Sequence, residues 1–424
     1  MEKIEAIVTD YKVATFSNFG NGSFELGLNF YGTFLSLLLV LLLGRLITKR
    51  VAFLRNYDIP EPVTGGVVVA IVLFIASYYL NFHVSFYGGF KDPLLLAFYT
   101  TIGLSADIEI VKKGGKMLGL FAIAVFLLLS VQNAIGVGVM KAMGENPLLG
   151  LIGGSITLSG GHGTGAAWGE TFIKDYGFKE ATDIAMACAT YGLIAGGFIG
   201  GPMANYLIKK FNLKPSAVSN ENITTNKAFD TPQNPRLITS ESFITSLILI
   251  AVSIFIGIYI EYLTHGTAIA MPTFVWCLIT GIVIRNTFGR MGVYEVFDRE
   301  IGVIGNVSLS LFLAIAIMTL NIVQLVELAL PISVLLAIQT IAILIYVRYV
   351  TFVICGKDYD AACMVAGHLG FGMGATPTAI ANLQVVTNHF GPSHVAFIVV
   401  PIMGGFLVDI GNAITIKTFL SFLF

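Results

Sequence analysis

Gly153-Gly154-Ser155-Ile156-Thr157-Leu158-Ser159-Gly160-Gly161-His162-Gly163-Thr164-Gly165-Ala166-Ala167-Trp168 lies deep inside an apolar chain, yet it is too rich in glycine to form a simple spanning helix. A second such stretch, Ala366-Gly367-His368-Leu369-Gly370-Phe371-Gly372-Met373-Gly374-Ala375-Thr376-Pro377-Thr378-Ala379, occurs in the other half of the chain. Lipid cannot satisfy free N–H and C=O groups. Interrupted backbone at membrane depth must therefore be buried in protein or line a watery cavity. One interruption in each half is the pattern of a transporter site built from discontinuous helices.

The surrounding composition fits that setting. A hydrophobic fraction of 56%, a charged fraction of 12% and 32 Phe describe a polytopic membrane protein whose solvent is mostly lipid. The formal net charge of -1 and the lack of a long basic run give no sign of a nucleic-acid partner. Cys188, Cys277, Cys355 and Cys363 form no Cys-x-x-Cys pair and have no matching histidine spacing. Neither a zinc site nor a disulfide framework is implied, and the four read as packing residues.

Residues 1–29 are mixed and polar and lack the features of a signal peptide, so an exposed arm or interfacial helix is expected there. Residues 30–211 form a first unit. Its predicted spans run from Phe30 to Ile47, from the Ile59-Pro60-Glu61-Pro62 turn to about Leu80, from Pro93 to Ala106, from Met117 to Met140 and from Ala181 to Ile208. The first glycine-rich stretch precedes the last of these. Gln132-Asn133, inside the fourth span, reads as a hydrogen-bonding link between helices.

Residues 212–240 are the long hydrophilic segment and serve as the expected linker. Residues 241–424 repeat the plan, with spans from Ser242 to Leu263, Met271 to Phe288, Ile301 to Leu320, Gln324 to Val350 and Val395 to Phe419. An odd number of spans per unit turns the second unit upside down, which predicts an all-α membrane protein of two inverted repeats. Each repeat holds five transmembrane helices and one glycine-rich re-entrant hairpin. All but seven of the 24 Lys plus Arg residues then fall on one face, the seven being Lys3, Lys12, Lys91, Lys141, Lys174, Lys179 and Lys417. The majority face is expected to be cytoplasmic, with both termini periplasmic and the linker cytoplasmic.

Half-helix N-termini present free N–H groups and partial positive charge, so they can hold an anion without a buried Arg. Ser155, Thr157, Ser159, Thr164, Thr376 and Thr378 supply hard oxygens near them, suited to an alkali cation. Each can equally bond a preceding carbonyl of its own helix. Asp409 is the acid well inside a span, a placement that costs about 2.5–3.5 kcal/mol on insertion scales and marks a functional candidate. It can coordinate Na⁺, bind a substrate ammonium or carry a proton. His162, without a paired carboxylate or cysteine, is either a ligand or base, or a hydrogen-bonded structural residue.

At these positions the chain resembles a known family. Gly153 to Trp168, Ala187-Cys188-Ala189-Thr190, Gly305 to Ala314, Gly374 to Asn382 and Gly391-Pro392-Ser393-His394 are similar to the bacterial sodium/glutamate symporters, and the resemblance runs from about Phe30 to the C-terminus. It implies Na⁺-driven uptake of L-glutamate across the bacterial inner membrane by an elevator-type homodimer set in lipid. Na⁺ would be the coupling ion, and no organic cofactor is expected. On this resemblance the substrate lies between Ser159, Gly160, Gly161, His162, Gly163 and Thr164 on one side and Gly372, Met373, Gly374, Ala375 and Thr376 on the other. Na⁺ would be held among Thr157, Cys188, Thr190, Thr378, Asn382, Asp409 and Asn412.

Two rivals are distinguishable. A proton- or exchange-coupled carrier of another organic anion, such as a hydroxycarboxylate, would use the same fold with Asp409 as the proton site. An intramembrane hydrolase built on Ser159, His162 and Asp409 would need a strained nucleophile turn that the sequence lacks, so no enzyme is expected.

Overall fold

The structure is a computed structural model that describes residues 14–18, 24–56, 59–215, 237–267, 269–287, 295–320 and 328–424. The first unit contains α1 (Phe30–Arg50), α2 (Ala52–Asn56), α3 (Glu61–Leu80), α4 (Lys91–Ser105), α5 (Ile108–Lys113), α6 (Gly115–Met143), α7 (Pro147–Ile156), α8 (Gly161–Tyr176) and α9 (Ala181–Phe211). The second contains α10 (Ser240–Thr264), α11 (Thr273–Asn286), α12 (Asp298–Met318), α13 (Ala329–Ile354), α14 (Tyr359–Gly372), α15 (Thr376–Phe390) and α16 (His394–Leu423). Among the described residues eight helices, α1, α3, α6, α9, α10, α12, α13 and α16, are long and apolar enough to cross a membrane.

Local signals set the ends of these helices. Asn29 accepts from the Gly32 amide at 3.0 Å ahead of α1, and Thr239 with Ser242 forms a capping box at α10. Asn81, Gly144, Gly177 and Asn212 close α3, α6, α8 and α9 in the left-handed conformation.

The arm departs from expectation. Ala14–Asn18 (β1) and Phe24–Leu28 (β2) are antiparallel strands, and Phe82–Ser85 (β3) pairs parallel to β2 in the order β1-β2-β3. An interfacial helix is therefore excluded for these residues. The alternation of Phe24, Leu26 and Leu28 with Glu25 and Gly27 has the period of a strand, and β3 supplies the partner that such a strand needs. The all-α class holds for the apolar body. Residues 1–13, the linker residues 216–236 and the expected span start at Gln324 lie outside the described residues.

Helix contacts sort the chain into two groups. A panel group joins α1, α3, α4, α10, α11 and α12; a hairpin group joins α6–α9 with α13–α16. They meet along narrower seams, α12 against α8 and α9, and α4 against the Met403–Leu407 segment of α16. The two short helices of the panel, α4 with 15 residues and α11 with 14, pack on each other and are flanked by longer ones.

Close backbone approach holds each group together. In the panel, a Cβ on Gly44 would sit 1.9 Å from the Glu61 carbonyl oxygen, so α1 and α3 touch backbone to backbone. In the hairpin group, a Cβ on Gly136 of α6 would sit 2.0 Å from the Gly150 carbonyl oxygen of α7, whereas one on Gly138 would meet nothing within 4 Å. Gly136→Ala should therefore lose about 1–3 kcal/mol of stability through overpacking. Gly138→Ala on the same helix should melt like the parent in detergent, and thermal unfolding of the two side by side checks both expectations.

Candidate functional site

Both glycine-rich stretches are broken helices folded into hairpins. Gly154 leaves helical geometry at φ -99°, ψ -133°, the chain turns, and α8 restarts at Gly161, whose φ of +65° favours glycine. In the second stretch α14 ends at Gly372, and α15 restarts at Thr376 with Pro377 in its first turn. The breaks abut, since a Cβ on Gly161 would lie 3.0 Å from the Gly374 carbonyl oxygen.

Gln132 of α6 links them. Its Oε1 accepts from Ser159 Oγ at 2.7 Å in the first break, and its Nε2 donates to the Gly372 carbonyl at 2.9 Å in the second. Its own carbonyl accepts from Gln339 Nε2 of α13 at 2.7 Å. Next to it, Asn133 Oδ1 accepts from the Ser155 amide at 3.0 Å. Asn412 of α16 completes the first break, accepting from Ser155 Oγ at 2.6 Å and donating to the Ser155 carbonyl at 2.9 Å. Backbone freed by the breaks thus finds buried side-chain amides in place of water.

Where the two helix groups meet, a cavity of about 620 Å³ opens beside these breaks. The hairpin group contributes the first turns of α8 and α15 and Asp409; the panel contributes Pro60-Glu61-Pro62, Phe98, Tyr99, Asn306 and Ser310. Two helix N-termini, each an anion receptor, therefore border one space. Thr164 connects the groups, accepting from Tyr99 OH at 3.0 Å and donating to Asp409 Oδ1 at 3.2 Å. Around Pro401, α16 widens into a π-helical segment, Met403–Leu407, and its Gly404 carbonyl accepts from Thr376 Oγ1 at 2.6 Å.

Of the residues expected around substrate, Ser159, Gly160, Gly161, His162, Gly163, Thr164, Gly374, Ala375 and Thr376 line the cavity. Gly372 and Met373 lie behind it: the Gly372 carbonyl is taken by Gln132, and Met373 is fully buried against Gly192. The residues expected around Na⁺ are spread out. Asp409 is on the cavity. Thr157 donates to the Ile152 carbonyl, Cys188 is buried, and Asn412 is engaged with Ser155. Thr190 Oγ1 donates to the Met186 carbonyl and lies 3.0 Å from His162 Nε2. Asn382 Nδ2 donates to the Gly196 carbonyl at 3.0 Å, and Thr378, one turn earlier, is buried. Among the described residues no three His, Cys, Asp or Glu side chains cluster as a metal site.

Ser159 Oγ points to Gln132 and the Gly372 carbonyl, while His162 pairs with Thr190, so a hydrolytic relay is not assembled. Tyr99, Asn306, Ser310 and Glu61 line the cavity without having been singled out in the sequence. Asn306 and Ser310 stand four residues apart on α12, a helical-face signal available in the motif from Gly305 to Ala314. Tyr99 sits in an ordinary apolar span and carried no such signal.

A family model described as sodium/glutamate symporter matches residues 26–392. The chain belongs to the sodium/glutamate symporter family. The sodium/glutamate symporter of Escherichia coli (strain K12) is 50% identical over 388 residues, spanning 92% of this chain and 96% of that protein. The one from Haemophilus influenzae is 45% identical over 379 residues, spanning 89% and 94%. A sodium proton antiporter structure from Methanocaldococcus jannaschii aligns over 93% of this chain and 98% of that one, at 14% identity and a TM-score of 0.42. The family is one of transporters, not enzymes.

Losing the Gln132 amide would leave the Ser159 hydroxyl and the Gly372 carbonyl with only the long 3.4 Å bond between them in place of two short ones. Each buried unsatisfied group costs about 1–3 kcal/mol, so Gln132→Leu should lower the melting temperature clearly in detergent. Tyr99→Phe, which removes one hydroxyl at the seam, should stay much closer to the parent in the same assay.

Proposed function

We propose that this chain carries L-glutamate into the cell together with Na⁺. One observation carries the chemistry: two helix N-termini and one carboxylate, Asp409, converge on a single cavity. Glutamate has two carboxylates, which the two helix N-termini suit, and Asp409 is the acid that a coupling cation needs. The substrate lies among Ser159 to Thr164 and Gly374 to Thr376, with Gly372 and Met373 as backing. Its charge at neutral pH is net -1, so at least one Na⁺ offsets it in the low-dielectric interior. Asp409 holds Na⁺ at the cavity, with Asn412, Thr157, Thr190, Cys188, Thr378 and Asn382 as the further candidates for the ion; of these, Asn412 and Thr157 also bond backbone of the first break, at Ser155 and Ile152. The sodium named in the family sets aside the proton-coupled alternative.

Inverted repeats at 30–211 and 241–424 give the cycle its two states. Their support lies in the pairing of helices: α1 with α3 is matched by α10 with α11, and α3 with α12 by α11 with α4. The hairpin group moves as a loaded body against the panel in the elevator manner, and coupling follows if Na⁺ and glutamate favour the same closed state. The protein is a homodimer in the bacterial inner membrane with periplasmic termini and a cytoplasmic linker. Exposed apolar residues such as Leu35, Leu39, Leu42 and Phe255 give lipid or a second copy a surface to meet.

Proteoliposomes with labelled L-glutamate outside test this. Accumulation should follow an inward Na⁺ gradient and not an equal K⁺ gradient or an imposed pH gradient; accumulation driven by protons would overturn the reading. Asp409→Asn should raise the Na⁺ concentration for half-maximal uptake at least about tenfold, equivalent to 1.4 kcal/mol, or abolish uptake. Unchanged Na⁺ dependence would remove Asp409 from the ion site.

A further inference from the structure

A second cavity, of about 530 Å³, lies at the face where α4 begins and α8 ends. It shares three helices with the central cavity, α4, α8 and α16. On α4, Leu95 lines one and Phe98 the other; on α8, Ala167 and Thr164 do the same. Three residues of helix span about 4.5 Å, so the cavities lie end to end with a partition one turn thick.

Tyr99, Thr164, Trp168 and Phe274 make that partition. Tyr99 OH bonds to Thr164 Oγ1, and the Phe274 ring centroid lies 4.6 Å from that of Tyr99 and 5.8 Å from that of Trp168. All four are at most 5% exposed. Tyr99 and Phe274 belong to the panel, Thr164 and Trp168 to the hairpin group. The partition is closed only while the two groups keep this register.

Beyond it, at the rim, two ion pairs also cross the groups, from α4 to α8. Lys91 Nζ lies 3.0 Å from Glu170 Oε1, and Lys174 Nζ lies 2.9 and 3.0 Å from the two oxygens of Asp92. The pairs Arg45–Glu61, Arg285–Asp107 and Arg285–Asp298, by contrast, stay within the panel side. The central cavity meanwhile reaches Pro60-Glu61-Pro62 at the start of α3, the opposite face from the start of α4.

We infer that Lys91, Asp92, Glu170 and Lys174 are an interlock that holds the second-cavity end of the substrate route shut while the central cavity communicates with the other face, with the Tyr99, Phe274 and Trp168 layer as the gate behind it. The inference deepens the alternating-access reading and rests on it for its purpose. Its energetics suit a contact that must break in every cycle. The Lys174–Asp92 pair is more than half exposed, and such pairs hold weakly in water, while the Lys91–Glu170 pair is more sheltered, with side chains 27% and 11% exposed. A tight, fully buried pair would bias one state too strongly for the ligands to reverse.

The test is accessibility, which needs no transport. A cysteine at Ser310→Cys reports on the central cavity, and the four native cysteines are buried. In sealed membrane vesicles of each orientation, a membrane-impermeant thiol reagent should label the reporter from one side and scarcely from the other. Adding Lys174→Gln with Glu170→Gln should raise labelling from the silent side at least tenfold. The charge exchange Lys91→Glu with Glu170→Lys, beside intact Lys174 and Asp92, should keep that side silent. Lys174→Gln alone removes an exposed charge and keeps the fold, so it should give a smaller rise in the same direction. Unchanged labelling in the single and double variants, or an exchange variant that labels as freely as the double variant, would overturn the interlock. Absence of Na⁺-driven uptake by the parent chain, with the labelling pattern intact in the reporter chain, would instead strike the transport reading and leave the interlock standing.

Discussion

The amide of Gln132 holds the two halves of the molecule to one another at their weakest points. Each glycine-rich stretch interrupts a helix where lipid offers no hydrogen bonds, and each interruption leaves backbone and hydroxyl groups to be satisfied. One side chain answers to both, accepting from Ser159 and donating to the Gly372 carbonyl. Asn133 and Asn412 serve the first break in the same way. Three carboxamides on two long helices therefore make broken backbone tolerable at this depth. The free N-terminal turns of α8 and α15 can then face a cavity.

The cavity belongs to neither helix group alone. The hairpin group supplies the helix ends and Asp409, and the panel supplies Tyr99, Asn306 and Ser310. Within each group, glycine contacts such as Gly44 on Glu61 and Gly136 on Gly150 lock backbones together at distances that no larger residue permits. Between the groups the contacts are of another kind, the Tyr99 hydroxyl on Thr164, the Phe274 ring against Trp168 and ion pairs at the rim. Backbone locks resist sliding, whereas side-chain contacts can be remade in a new register. Such a division of contacts leaves the site between two separately braced groups of helices.

Much of the site was legible in the residues, though their division of labour was not. Glycine and hydroxyl density marked both breaks, and Asp409 stood out as an acid within a span. Ser155, Thr157 and Ser159 looked like ligands for the same reason as Thr164, yet three of their hydroxyls close internal bonds and one reaches the cavity seam. A hydroxyl on a broken helix has two competing partners, a freed carbonyl and a ligand. Which one it meets depends on a rotation that spacing along the chain does not encode. The arm shows the same limit differently, because β2 is completed by β3 from beyond α3.

Sequence by itself determined the membrane setting, the two interruptions and the family. These follow from composition and from local pattern, and they need no knowledge of what lies opposite. Only the tertiary structure decided which polar groups are bridges and which line the cavity. It also decided that Tyr99, Asn306 and Ser310 join the site, and that α4 and α8 carry ion pairs at its far end. The physical reason is that a polar group inside a membrane protein takes its role from its partner. Partners such as Gln132 and Gly372 are 240 residues apart in the chain and meet only when the helices pack.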